Sequence, residues 1–128
     1  MINQAINEAT LDYNRGVGYL EKGNFKKALQ YFKKAEKSFP CMEVYNNMGV
    51  TYRGLGDDTN MIKCYQKSLA GLPSITEDPD AIEVQSLNNL GLAHYMLGQD
   101  SLAIKCYNAA IKRNPQAWDA WWNLSTAW

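Results

Sequence analysis

The sequence predicts an all-helical solenoid built from short antiparallel helix pairs. Three observations predict it: a fixed internal repeat, glycine and proline at the ends of the repeated segments, and small residues spaced around one aromatic in each copy. Taking Gly16, Gly49 and Gly91 as anchors, Gly23, Gly56 and Gly98 follow seven residues on, and Ala28, Met61 and Ala103 twelve on. Phe32, Tyr65 and Tyr107 stand at offset sixteen, Ala35, Ser68 and Ala110 at nineteen, and Pro40, Pro73 and Pro115 at twenty-four. Met61 is the one member out of class, so the second copy is expected to pack least ideally.

Each element follows from this register. Small residues at the anchor and at offsets twelve and nineteen let two helix backbones approach, and the aromatic between them fills the remaining space. The second glycine suits a left-handed cap at the end of the first helix, and Asn24, Asp57 or Gln99 follows it. Proline then closes the second helix, because it has no N–H to donate and disfavours a helical residue before it. The repeats are expected at about 9–41, 42–75 and 84–117. The anchors are 33 residues apart from Gly16 to Gly49 but 42 from Gly49 to Gly91, which leaves an insertion at about 76–83. There Asp78 reads as an N-cap before Pro79 in a first helical turn, with Asp80 and Glu83 complementing the dipole, so a lengthened helix is expected over about 79–97. After Pro115, WDAWWNLSTAW at 118–128 reads as the first helix of a fourth copy. With no second helix after it in the sequence, Trp121, Leu124 and Trp128 are expected to stay partly uncovered, as part of a longer array or as a face that packs on another subunit.

The segments NRGVGYLEKGNFKKALQYFKKAEKSFP, YNNMGVTYRGLGD and LNNLGLAHYMLGQDSLAIKCYNAAIKRNP resemble the tetratricopeptide repeat (TPR) family across nearly the whole chain. Met61 and Ser68 stand where the family usually has alanine, and His94 where it has tyrosine. The resemblance implies a right-handed superhelical α-solenoid whose first helices line a concave groove. It also implies a non-enzymatic protein-interaction scaffold or adaptor that holds a peptide or partner protein there. Two residues before each anchor stand Asn14, Asn47, Asn89 and Asn123. An amide both donates and accepts, so such a ladder suits the backbone of an extended peptide, although the same position also serves structural hydrogen bonding. The register adds Tyr13, Arg53, Asn88, Tyr95 and Trp122 to the groove, together with Glu43, Asn46, Val50 and Leu92 among others. Relatives that clamp the terminal carboxylate of chaperone tails use lysines, an arginine and asparagines on these helices. Here Tyr13, Val17, Gln85 and Asn89 stand at those places and Asn47 alone fits, so an acidic C-terminal tail is not the expected ligand.

Composition narrows the remaining choices. Lys plus Arg and Asp plus Glu are 13 each, so no global field draws in nucleic acid or an anionic membrane, and neither is an expected partner. With no apolar run long enough for a span and no leader pattern, the sequence reads as soluble and cytoplasmic. Cys41, Cys64 and Cys106 lie far apart and read as free packing thiols. A single histidine, His94, and the absence of a phosphate-cradling loop leave no expected active site, metal or cofactor. Lys26, Lys27, Lys33, Lys34 and Lys37 read as a solvated outer helix face. The expected partner is a protein or peptide. The alternative is a structural module that self-associates or packs on another domain through its Trp-rich C-terminal helix.

Overall fold

The computed structural model describes residues 2–76 and 78–127, which form seven α-helices. They are α1 (Ile2–Glu21), α2 (Phe25–Ser38), α3 (Met42–Gly54), α4 (Asp58–Ser68), α5 (Pro79–Met96), α6 (Asp100–Arg113) and α7 (Trp118–Ala127). Trp128 lies outside the described residues. α1 begins well before residue 9, where the periodicity starts the first repeat, and Ala9 is its first core residue.

The helices pack as pairs, α1 with α2, α3 with α4 and α5 with α6, and each second helix also touches the next first helix. The first helices touch in series, α1 to α3, α3 to α5 and α5 to α7, whereas α2, α4 and α6 make no contact with one another among the described residues. A touching layer stacked on a splayed layer curves toward the touching side. The face made by α1, α3, α5 and α7 is therefore the inner one.

Within each pair the anchor glycine is sterically required. A Cβ on Gly16, Gly49 or Gly91 would fall inside the van der Waals envelope of the Phe32, Tyr65 or Tyr107 ring respectively. Gly23, Gly56 and Gly98 all have φ of 75°, the left-handed conformation that ends the first helix of each pair. Asn24 Oδ1 then accepts from Lys27 N at 3.3 Å and Asp57 Oδ1 from Asn60 N at 3.1 Å, capping α2 and α4. Gln99 departs from this pattern: it makes no cap bond, and its Oε1 lies 2.7 Å from Nδ1 of the buried His94. That contact accounts for the histidine as a packed residue tied to the turn.

The second repeat absorbs its departures. Met61 is buried with Tyr65, Leu90 and Ala93. Ser68 Oγ donates to Met42 O at 2.9 Å and lies 2.8 Å from Ser86 Oγ, so the hydroxyl that replaces alanine ties α4 to both α3 and α5. The lengthened α5 is tied down as well, because Arg113 at the end of α6 meets Glu83 at 2.8 Å and Asp80 at 3.7 Å.

Candidate functional site

The asparagine register forms a chain of contacts between successive first helices. Asn47 Nδ2 donates to Tyr13 Oη at 2.8 Å, Asn89 Nδ2 to Asn46 Oδ1 at 3.0 Å, and Asn123 Nδ2 to Asn88 Oδ1 at 2.9 Å. Each repeat thus holds the residue that precedes the equivalent position of the repeat before it. Asn14, the first of the register, is exposed. The ladder has a structural function, and each amide still carries a second N–H and a carbonyl oxygen beyond the bond it makes.

Around these amides the inner face is mixed. Val17, Leu20, Val50 and Leu92 are half-buried, while Arg53, Tyr95, Met96 and Trp122 are exposed. Between α5 and α7 lies a hollow of about 340 Å³, whose wall includes Gln85, Asn88, Trp118 and Asp119. Tyr13 is half-buried, packs at 6.0 Å from the Phe32 ring, and has its hydroxyl pKa pushed up by burial and then by the nearby Glu43 carboxylate.

Two residues expected on this face are withdrawn from it. Asn46 is buried beneath its bond to Asn89. Glu43 is 1% exposed, and its carboxylate accepts from Ile75 N and Thr76 N, both at 3.2 Å, from Thr76 Oγ1 at 2.9 Å, and from Ser74 Oγ. The segment that leads into the insertion folds back over the start of α3, with Leu72 and Ile75 packed on the core shared by the first two repeats and Met42 N bonded to Pro73 O at 3.0 Å. A buried carboxylate requires such donors, since an unpaired one is strongly disfavoured. The nearest signal in the sequence was the hydroxyl-rich Ser-Ile-Thr after Pro73, which carries no local mark of its partner 31 residues away.

Of the residues expected to stay uncovered on the C-terminal helix, Trp121 is 52% exposed, whereas Leu124 is buried against Ala103 and Tyr107, because α6 covers it. Trp118 and Trp122 join Trp121 at the surface, 85% and 75% exposed. Trp121 Nε1 donates to Pro115 O at 2.8 Å, which fixes that indole across the α6–α7 turn. An open apolar hollow runs between Pro115, Trp118, Trp121, Trp122 and Ser125. Ser125 is the fourth copy's counterpart of the anchor glycines.

The remaining reactive groups are packing groups. Burial pushes the Cys41 and Cys64 thiols up to about 11 and raises Cys106 as well, which holds them as neutral thiols at ordinary pH. Among the described residues no group of three or more His, Cys, Asp or Glu is arranged to hold a metal ion, and no helix is long and apolar enough to cross a membrane.

Comparison with known proteins agrees with this geometry. Family models described as tetratricopeptide repeat match residues 41–116 and 13–40. No curated protein matches the chain by sequence. Among solved structures, the Arabidopsis OM64 TPR domain superposes with a TM-score of 0.83 at 15% identity, covering 96% of this chain and 96% of that one. The first TPR domain of Spaghetti (RPAP3), solved bound to the HSP90 peptide SRMEEVD, gives 0.81 at 16% identity, with 94% and 90% covered. The second TPR domain of human RPAP3, solved with the HSP70 peptide SGPTIEEVD, gives 0.79 at 14%, with 99% and 98% covered. At such identities the likeness is one of fold, and together with the matched repeats it assigns the chain to the tetratricopeptide-repeat family.

Proposed function

We propose that the chain is a non-enzymatic interaction adaptor that receives an extended peptide along the inner face of α1, α3, α5 and α7. One observation carries the reading: Asn47, Asn89 and Asn123 recur at repeat spacing along that face, each with spare hydrogen-bonding capacity, between the apolar side chains of Val17, Val50 and Leu92. Recurrent amides match the recurrent N–H and C=O groups of a peptide backbone, and the apolar groups between them match side chains. The solved relatives that hold chaperone peptides support peptide binding as a use of this fold. Their ligands end in EEVD, and such a tail is not the proposed ligand here, because Tyr13, Val17, Gln85 and Asn89 supply no cation at the clamp positions. A protein or peptide partner, with no cofactor, and a cytoplasmic setting belong to the same reading.

Selection of peptides from a random displayed library tests it. A selected peptide is expected to lose at least about tenfold in affinity on Val50→Glu or Leu92→Glu and to be unaffected by Lys105→Glu on the outer layer. Circular dichroism checks that all three variants are folded. Equal binding by the inner-face and outer-face variants would remove the inner face as the site.

A second reading rests on a separate observation, the exposure of Trp118, Trp121 and Trp122. In it, copies of the chain associate through α7. Sedimentation at several concentrations decides it: a mass that stays monomeric rejects self-association, and one that rises and then falls on Trp122→Asp supports it.

A further inference from the structure

A chain of zero net charge can still be polarised, and this one is. Seven of its 13 Lys and Arg residues fall between residues 15 and 37, where Glu21 and Glu36 are the only acids, so the rest of the chain is acidic in balance. α2 carries five of the seven. With Ala28, Phe32 and Ala35 facing the core, helical geometry puts Lys26, Lys33 and Lys37 on the opposite side and Lys27 and Lys34 on its flank. All five are exposed, and among the described residues none forms a salt bridge.

The flank is ordered by two tyrosines. Tyr19 of α1 and Tyr31 of α2 stack with centroids 5.4 Å apart and planes 11° apart. Lys27 Nζ lies 5.3 Å from the Tyr19 centroid, Lys34 Nζ 5.1 Å from that of Tyr31, and the Arg15 guanidinium carbon 6.0 Å from that of Tyr31. Ring electrons hold these cations in place rather than at the ends of freely moving chains, so less order has to be imposed when a ligand arrives. The later second helices are sparser: α4 carries Lys63 and Lys67, of which Lys67 lies 5.4 Å from the Tyr45 centroid, and α6 carries Lys105, Lys112 and Arg113, the last occupied by Asp80 and Glu83. Among the described residues neither has a stacked tyrosine pair beneath its cations.

We propose that the outer face of α2 is a second docking surface, separate from the inner face, that takes an acidic segment of a partner protein. Charge complementarity selects this occupant. From Lys26 to Lys37 the cations span about 16 Å of helix at 1.5 Å per residue, the length of about five residues of extended chain. Carboxylates are favoured over nucleic acid because Tyr19 and Tyr31 stack on each other with cations over them, which leaves no open ring platform for a base. Since α2 belongs to the splayed layer and the peptide face to the touching one, both surfaces can be occupied at once.

Calorimetric titration with an octaglutamate peptide tests the proposal. Binding is expected, weakening as salt rises because exposed charges are screened beyond about 10 Å at 0.1 M. It should fall by about tenfold when Lys27→Glu and Lys34→Glu are combined, and remain unchanged when Lys63→Glu and Lys105→Glu are combined. No binding of the peptide, or equal loss in both double variants, overturns the proposal. So does tighter binding of oligothymidylate or of phosphatidylserine vesicles through the same lysines, which would make the ligand a nucleic acid or a lipid surface. A low-salt increase in mass that the Lys27→Glu, Lys34→Glu variant abolishes also overturns it, since the acidic occupant would then be a second copy.

Discussion

α3 and α7 are both first helices, yet one is enclosed and the other is half bare. Met42 through Asn46 of α3 are all buried, with α4 on one side, α1 and α5 on the others, and the Ser74–Thr76 segment over its start. α7 has α5 and α6 on one side only, so Leu124 and Ala120 are covered while Trp118, Trp121 and Trp122 face outward. The same repeat position therefore carries a different energetic weight according to its neighbours. In a solenoid, stability is close to a sum of repeat and nearest-neighbour terms, so α3 should behave as core and α7 as surface.

Substitutions in the two regions should therefore differ in cost. Tyr65→Ala, which empties the space against Gly49, is expected to cost about 3–5 kcal/mol in urea unfolding, the largest effect. Glu43→Ala follows at about 2 kcal/mol, because the backbone donors of Ile75 and Thr76 lose a charged acceptor, and hydrogen exchange at those two amides should accelerate. Asn89→Ala is expected to cost about 1 kcal/mol, since it strips the buried Asn46 carbonyl of its partner. Trp122→Ala should change stability by no more than about 0.5 kcal/mol. A cost at Trp122 as large as that at Tyr65 would mean that α7 is enclosed in solution.

pH sharpens the same contrast. Burial pushes Cys41 and Cys64 up to about 11, and Tyr45, Tyr65 and Tyr107 up to about 12, all above the values of 9.0 and 10.0 they have in an unfolded chain. Folding therefore favours their neutral forms: the stabilisation is complete below about pH 9 and is lost as pH rises from there to about 12. These groups sit at the start of α3 and in α3, α4 and α6, and none is in α7. Thermal unfolding across this range should show a falling midpoint, and a midpoint that holds above pH 10 would contradict the burial of these groups.

Most of the fold was legible because it is local and periodic. Gly23, Gly56 and Gly98 announce the turns, Asp78 and Pro79 announce α5, and small residues announce the close helix contacts. What the sequence did not disclose joins distant positions. Glu43 looks like a groove residue until the insertion supplies its donors, and Leu124 looks bare until α6 is seen to cover it. The ladder asparagines were legible as a register but not as bonds, since their partners Tyr13, Asn46 and Asn88 belong to the preceding repeat. The stacking of Tyr19 on Tyr31, which orders the basic flank, also depends on how two helices are juxtaposed.

The most direct test of the inner face as the partner site is photo-crosslinking in the native host, with a benzophenone side chain placed at Tyr95, Lys63 or Trp121 in otherwise unchanged protein. A crosslinked partner is expected from position 95 and none from position 63 on the outer layer. Crosslinks from position 121 alone, with none from 95, would contradict this and assign partner contact to α7.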